Sequence, residues 1–191
     1  MRRGVIAAAA AIFVLLAVSG ARAAGEQLWP LLKAGGQVIL MRHAITTPGV
    51  GDPPGMRLDD CSTQRNLTDD GRRHAREAGE AFRARGIAVD RVLASPWCRC
   101  METARLAFGK AEAAPALGNL YGRSENSAAQ VREMRALLAE RRGAGNVILV
   151  SHGSTIAALT GESLDTAEML VVTPQGPGRF VSRGRLFAHT P

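Results

Sequence analysis

No apolar run in this 191-residue chain is long enough to span a bilayer. The one long apolar stretch, Val5 to Val18, has 14 residues, against the roughly 20 that a membrane-crossing helix needs. Cysteine is scarce, with only Cys61, Cys98 and Cys100. No Cys-x-x-Cys pair and no histidine at finger-like spacing accompany them, which argues against a structural zinc site. The chain has no repeat at a solenoid period and no low-complexity segment. No Gly-x-Ser-x-Gly elbow surrounds Ser154, so that serine reads as a helix cap and not as a nucleophile.

A strong charge of one sign is missing as well. Met1 to Ala23 carries three of the 24 basic residues and none of the 17 acidic ones, so without that segment the net charge falls from +7 to +4. Arginine greatly outnumbers lysine, and acids are interleaved throughout. This balance speaks against a nucleic-acid partner and suits a small anionic substrate.

The N-terminal segment has its own logic. Met1-Arg2-Arg3 is a basic start, the apolar run follows, and Ala21-Arg22-Ala23 is a small-x-small cleavage site. Residues 1–23 are expected to be a secretory signal peptide and 24–191 one domain, periplasmic or secreted, with no stable membrane span after cleavage. An uncleaved anchor is the alternative. In an oxidising compartment Cys61 is expected to bridge Cys98 or Cys100, leaving one thiol over.

Short β-branched runs at 37–41, 89–94 and 145–150 read as buried strands. The stretch 46–60, rich in Pro, Gly and Asp, reads as a loop. Thr68 caps a helix that Asp69 and Asp70 open and Gly86 stops. Pro96 suits the first turn of the next helix, and helices are expected at 130–142 and 154–159. Residues 169–173 and 179–187 form a closing hairpin. Alternating strands and helices predict an α/β fold, a three-layer α/β/α sandwich with a mostly parallel sheet, whose ligands bind beyond the carboxyl ends of the strands.

That placement gives "VILMRHAITT" and "VILVSHGST" their meaning. His43, Ser95 and His152 each fall where a strand has just ended. With Arg42 and Arg99 beside them, two imidazoles converge in an electropositive pocket suited to phosphate. A neutral imidazole nitrogen attacks phosphorus to give a phosphohistidine, and fixed arginines stabilise the charge on the transferring group. His43 is the candidate nucleophile. Arg42, Arg99 and His152 are the candidate phosphate ligands, and no metal or other cofactor is required. Arg57 and Arg65 are further candidates from the adjoining loop. His74 and His189 read as surface residues, Asp59-Asp60 and Asp69-Asp70 as solvated charges, and Trp97 as either lining or packing.

"LMRHA", "SPWCRCMETA" and "VSHGST", with "RNLTDDGRRHA" between them, resemble the motifs of the histidine phosphatase superfamily, the phosphoglycerate mutase-like fold. The resemblance runs from about Val38 to Thr160. It implies that His43 is phosphorylated and that Arg42, Arg99 and His152 hold phosphate. The family's glycine after the first histidine is Ala44 here. Many members carry a glutamate as general acid between the second arginine motif and the second histidine, and Glu125 stands in that stretch. Glu168 and the absence of a dedicated acid are the other possibilities. Without an acid, good leaving groups such as phosphoramidates or acyl phosphates would be favoured. Exported relatives acting on cell-envelope sugar phosphates make such a sugar one candidate partner. A phosphomutase, a phosphate-binding pseudo-enzyme and a metallohydrolase are the rival readings.

Overall fold

The computed structural model describes residues 25–49, 51–123, 127–139 and 143–188. The expected signal peptide, Glu125, His189 and the end of the helix expected at 130–142 lie outside the described residues. In chain order the elements are α1 (Leu28–Ala34), β1 (Val38–Arg42), α2 (Asp69–Ala84), β2 (Val89–Ala94), α3 (Cys98–Phe108), β3 (Glu112–Ala113), α4 (Ser127–Ala139), β4 (Asn146–Ser151), α5 (Gly153–Thr160), β5 (Glu168–Pro174) and β6 (Phe180–Phe187). Short 3₁₀ turns lie at Cys61–Thr63 and Pro115–Leu117.

All six strands form one sheet in the order β3-β2-β4-β1-β5-β6. The first four run parallel; β5 pairs antiparallel with β1, and β6 with β5. β1 and β4 are central and buried on both faces, which explains why they read as continuous apolar runs. Side chains alternate across the sheet. Ile39, Met41, Ile148 and Val150 join a core with α1, α2 and α3. Val38, Leu40, Leu149 and Leu170 join a second core with α4 and α5. These two cores define the expected α/β/α layers. No helix among the described residues is long and apolar enough to cross a membrane.

The caps expected from the sequence are present in part. Thr68 accepts the Gly71 N–H at 3.0 Å and opens α2, an arrangement worth about 1 kcal/mol. Gly71 lies so close to the Ile45 carbonyl that any Cβ would overlap it. The Leu-Thr-x-x-Gly pattern therefore seats the α2 start against the chain leaving β1. Two expectations are corrected. Pro96 precedes α3 rather than entering it, because Trp97 is still extended at the N-cap. Ser154 does not cap α5: His152 occupies the N-cap position, and the Ser154 hydroxyl donates to Asn119 Oδ1 at 2.9 Å. α1 and the two-residue β3 were not foreseen. His74 is buried between α2 and its neighbours rather than on the surface.

Candidate active site

Backbone ladders carry three chain segments to the same sheet edge. The His43 N–H donates to Ser151 O and the Ser95 N–H to Val150 O, both at 2.9 Å, so the residue after each strand stays in register. The Ala44 N–H donates to Thr103 Oγ1 at 3.1 Å, and Thr103 Oγ1 to the Arg99 carbonyl at 2.7 Å. This explains the threonine four residues after Arg99: it fastens the α3 turn bearing the arginine to the backbone beside His43.

His43 is 3 % exposed. Its Nδ1 lies 2.8 Å from the Ala44 carbonyl; a carbonyl only accepts, so Nδ1 carries the proton and Nε2 keeps its lone pair. Burial, opposed by that carbonyl and reinforced by the charges of Arg99, Arg42 and Arg65, pushes the imidazole down to about 3. His43 is thus neutral at physiological pH. The His152 ring stands 5.4 Å away and edge-on. A guanidinium only donates, so the 3.3 Å contact with Arg99 Nη2 makes His152 Nδ1 an acceptor. Nε2–H then points to Ser95 Oγ at 2.8 Å. Burial first, then His43 and the arginines, hold His152 well below its ordinary range.

Arg42, Arg65 and Arg99 line one cavity with both histidines, about 340 Å³ in volume. Arg42 Nη1 donates to Leu164 O at 2.7 Å, and Gly153 lets its guanidinium lie against the start of α5, where a Cβ would come within 3.3 Å of Nε. The Nε atoms of all three arginines are buried without a hydrogen-bond partner among the described residues. Such donors are costly unless something accepts from them. A phosphoryl group has acceptors enough for all three. The outer wall is uncharged and polar, with Asn119, Tyr121, Ser154 and Ser163. Among the described residues no three His, Cys, Asp or Glu side chains stand where they could hold a metal ion.

Arg42, His43, Arg99 and His152 are therefore brought together, and Arg65 joins them. Arg57 does not: it is exposed and paired with Asp59 at 2.9 Å. Glu168 is buried at the start of β5, where burial raises its carboxyl, and it is not among the cavity-lining residues. Trp97 packs edge-on against His152. Cys61 bridges Cys98, while Cys100 is a free, buried thiol that burial pushes up to about 12. Sequence reasoning missed Asp52, which binds Arg99; a lone aspartate in a Gly- and Pro-rich loop gives no signal.

Chemistry at a phosphoryl group is what this geometry suits. Residues 38–118 match the model of the histidine phosphatase superfamily (branch 1). Among solved structures, the protein histidine phosphatase SixA complexed with tungstate is 22 % identical, with a TM-score of 0.55 over 80 % of this chain and 97 % of that one. The Rv3214 protein of Mycobacterium tuberculosis is 21 % identical, with a TM-score of 0.59 over 80 % and 98 %. A phosphoserine phosphatase from Entamoeba histolytica, in complex with 3-phosphoglyceric acid, is 13 % identical, with a TM-score of 0.59 over 81 % and 97 %. No curated protein matches the sequence. Over residues 38–118 the chain is similar to the histidine phosphatase superfamily, and it has the phosphoglycerate mutase-like fold of these structures.

Proposed function

We propose that this phosphatase hydrolyses a phosphate monoester or a related phospho-compound through a phosphohistidine at His43, without a metal. One observation carries the reading: the unprotonated Nε2 of a neutral, buried His43 in a cavity ringed by three arginines. In the first step the Nε2 lone pair attacks phosphorus, and the leaving group departs with its bonding pair. In the second, water attacks the phosphoryl group, His43 departs with the N–P pair, and inorganic phosphate is released. Arg42, Arg65 and Arg99 stabilise the equatorial oxygens in both steps. His152, held between Arg99 and Ser95, keeps the Arg99 guanidinium beside the phosphoryl site.

No carboxyl group lines the cavity among the described residues. That supports substrates whose leaving group needs little protonation, the phosphoramidates and acyl phosphates beside simple esters, unless Glu125 supplies the proton. The neutral rim of hydroxyl and amide groups supports a polyhydroxyl leaving group, such as a cell-envelope sugar phosphate. Export to the periplasm or beyond is supported by the basic-apolar-small pattern of residues 1–23 and by the Cys61–Cys98 disulfide.

The test is hydrolysis of para-nitrophenyl phosphate by the chain from residue 24 and by His43→Ala, with and without EDTA. Turnover that ignores EDTA and is lost at least about 10³-fold in the variant is expected. Activity surviving in His43→Ala, or abolished by EDTA, would overturn the reading.

A further inference from the structure

Arg99 is completely buried, and a buried guanidinium must be paired. Its partner is not substrate but Asp52, from the loop after β1. Asp52 Oδ1 accepts from Arg99 Nη1 at 2.6 Å, and Oδ2 from Arg99 Nη2 at 3.1 Å. The same carboxylate accepts the Trp97 indole N–H at 3.1 Å and the Arg65 backbone N–H at 3.2 Å. Burial opposes the charge on Asp52, yet these bonds and the Arg99 charge hold its carboxyl below the usual range, so it is an anion and no candidate acid. With Asp52 gripping one side of the fork, Arg99 turns its other Nη2 hydrogen to His152 and Nη1 also to Arg65 O at 3.5 Å, while its buried Nε has no partner among the described residues.

We propose that Asp52 is a positioning residue for phosphoryl transfer: it fixes the Arg99 guanidinium in its working orientation and, by cancelling one of three arginine charges, sets the site's net charge at +2. That charge matches a phosphate monoester dianion, and it limits how tightly the product dianion is held. The count rests on Arg42, Arg65 and Arg99 against Asp52, with both histidines neutral. A fourth loop contact serves the same end, because Gln64 bonds Cys98 N at 2.9 Å and the disulfide beside it ties the loop to the α3 start. The inference rests on the phosphatase reading above.

Asp52→Asn is nearly isosteric but keeps one acceptor oxygen, so of the Arg65 N–H and the indole N–H, which bond different carboxylate oxygens, one retains its partner and the other loses it. The expected outcome is a kcat lowered about 10-fold or more, since one preorganised donor loses its hold, together with inorganic phosphate inhibiting about 5-fold more tightly, since the site gains a positive charge. Asp52→Glu is expected to recover part of kcat and the original phosphate inhibition. Loss of phosphate affinity and of unfolding midpoint together would reveal a merely structural contact and overturn the proposal. Tighter phosphate with kcat unchanged or raised would make Asp52 a plug competing for Arg99, and would overturn it too, as would a variant indistinguishable from the wild type. If the wild type does not turn over para-nitrophenyl phosphate, the phosphatase reading has failed. Calorimetric titration with inorganic phosphate then still decides the charge role of Asp52, with unchanged binding in Asp52→Asn counting against it.

Discussion

Two regions build the site by different means. At the sheet edge, Arg42, His43, Ser95 and His152 sit at the ends of strands whose neighbours hold them on both sides. The loop between β1 and α2 contributes Asp52 and Arg65, and turns, side-chain bonds and the disulfide hold it in place of a strand ladder: Thr46 bridging Leu67, Arg65 Nη1 reaching Gly49 O at 2.6 Å, Gln64 holding Arg57 and Leu58 carbonyls, and Asp52 bonded to Arg99 and Trp97. A strand end is over-determined, so a change there alters the chemistry while position survives. A loop with few anchors couples the two, and losing an anchor is felt at the site as lost geometry. The proposed nucleophile, His43, stands on the strand ends; the residues proposed to tune charge, Asp52 and Arg65, stand on the loop.

The sharpest probe compares one arginine from each region. Arg42→Gln should lower kcat/KM about 10²- to 10³-fold, the loss typical of a preorganised donor, with the unfolding midpoint nearly unchanged. Arg65→Gln should cost less, about 10-fold to 10²-fold, because a donor on a looser support is less well preorganised. Steady-state kinetics on para-nitrophenyl phosphate checks both, and an Arg65 effect larger than the Arg42 effect would dissolve the distinction between the regions.

Breaking the covalent anchor comes next. The bridge closes a separation of 37 residues, and its removal in a Cys61→Ser, Cys98→Ser chain should cost about 3 to 4 kcal/mol of unfolding free energy in the chain-entropy picture. Activity should fall by a smaller factor, about 10-fold, and through the loop residues alone. The double change with Arg65→Gln should therefore lose much less than the sum of the two, while the double change with Arg42→Gln should be additive. Denaturant titration and a kinetic double-mutant cycle measure this; additivity in both would show that the loop does not pass its anchor on to the site.

Legibility in the sequence divides along the same line. The sheet edge could be read because β1 and β4 are apolar throughout and the histidines follow at once; period and position carried the information. The pairing of Cys61 remained open between Cys98 and Cys100, and helix geometry decided it. The two lie about 200° apart around α3, so Cys98 faces the loop while Cys100 points inward, its Sγ 3.7 Å from Ser151 O. α1 escaped notice because its seven residues, LWPLLKA, are too short for a periodic signal and contain Pro30. Ser154 looked like a cap because the local pattern fits one, but Asn119, 35 residues earlier, claims its hydroxyl. Asp52 is determined by Arg99 and Trp97, more than 40 residues away in sequence, and no local pattern encodes a distant partner.

The smallest effect separates the regions by pH. Two buried histidines at the sheet edge are held far below 6.5, His43 near 3. As pH falls below 6.5 the unfolded chain binds protons at these positions that the folded chain refuses, so stability falls with pH, by about 1.4 kcal/mol per histidine per unit. Between pH 7.5 and 5.5 the two together should remove about 3 kcal/mol. The loop behaves otherwise: Asp52 lies below 3.8 when folded, so its contribution is intact over this interval and is lost only as pH falls through the range beneath 3.8. Denaturant midpoints at pH 7.5, 6.5 and 5.5 should therefore fall in the wild type, fall about half as steeply in His43→Asn, and fall with the wild-type slope in Asp52→Asn. Inorganic phosphate should flatten the wild-type curve, because a bound dianion favours the protonated imidazoles that acid creates. A flat curve without phosphate would mean that the histidines are not held neutral by burial, and the strand-end half of the comparison would fall with it.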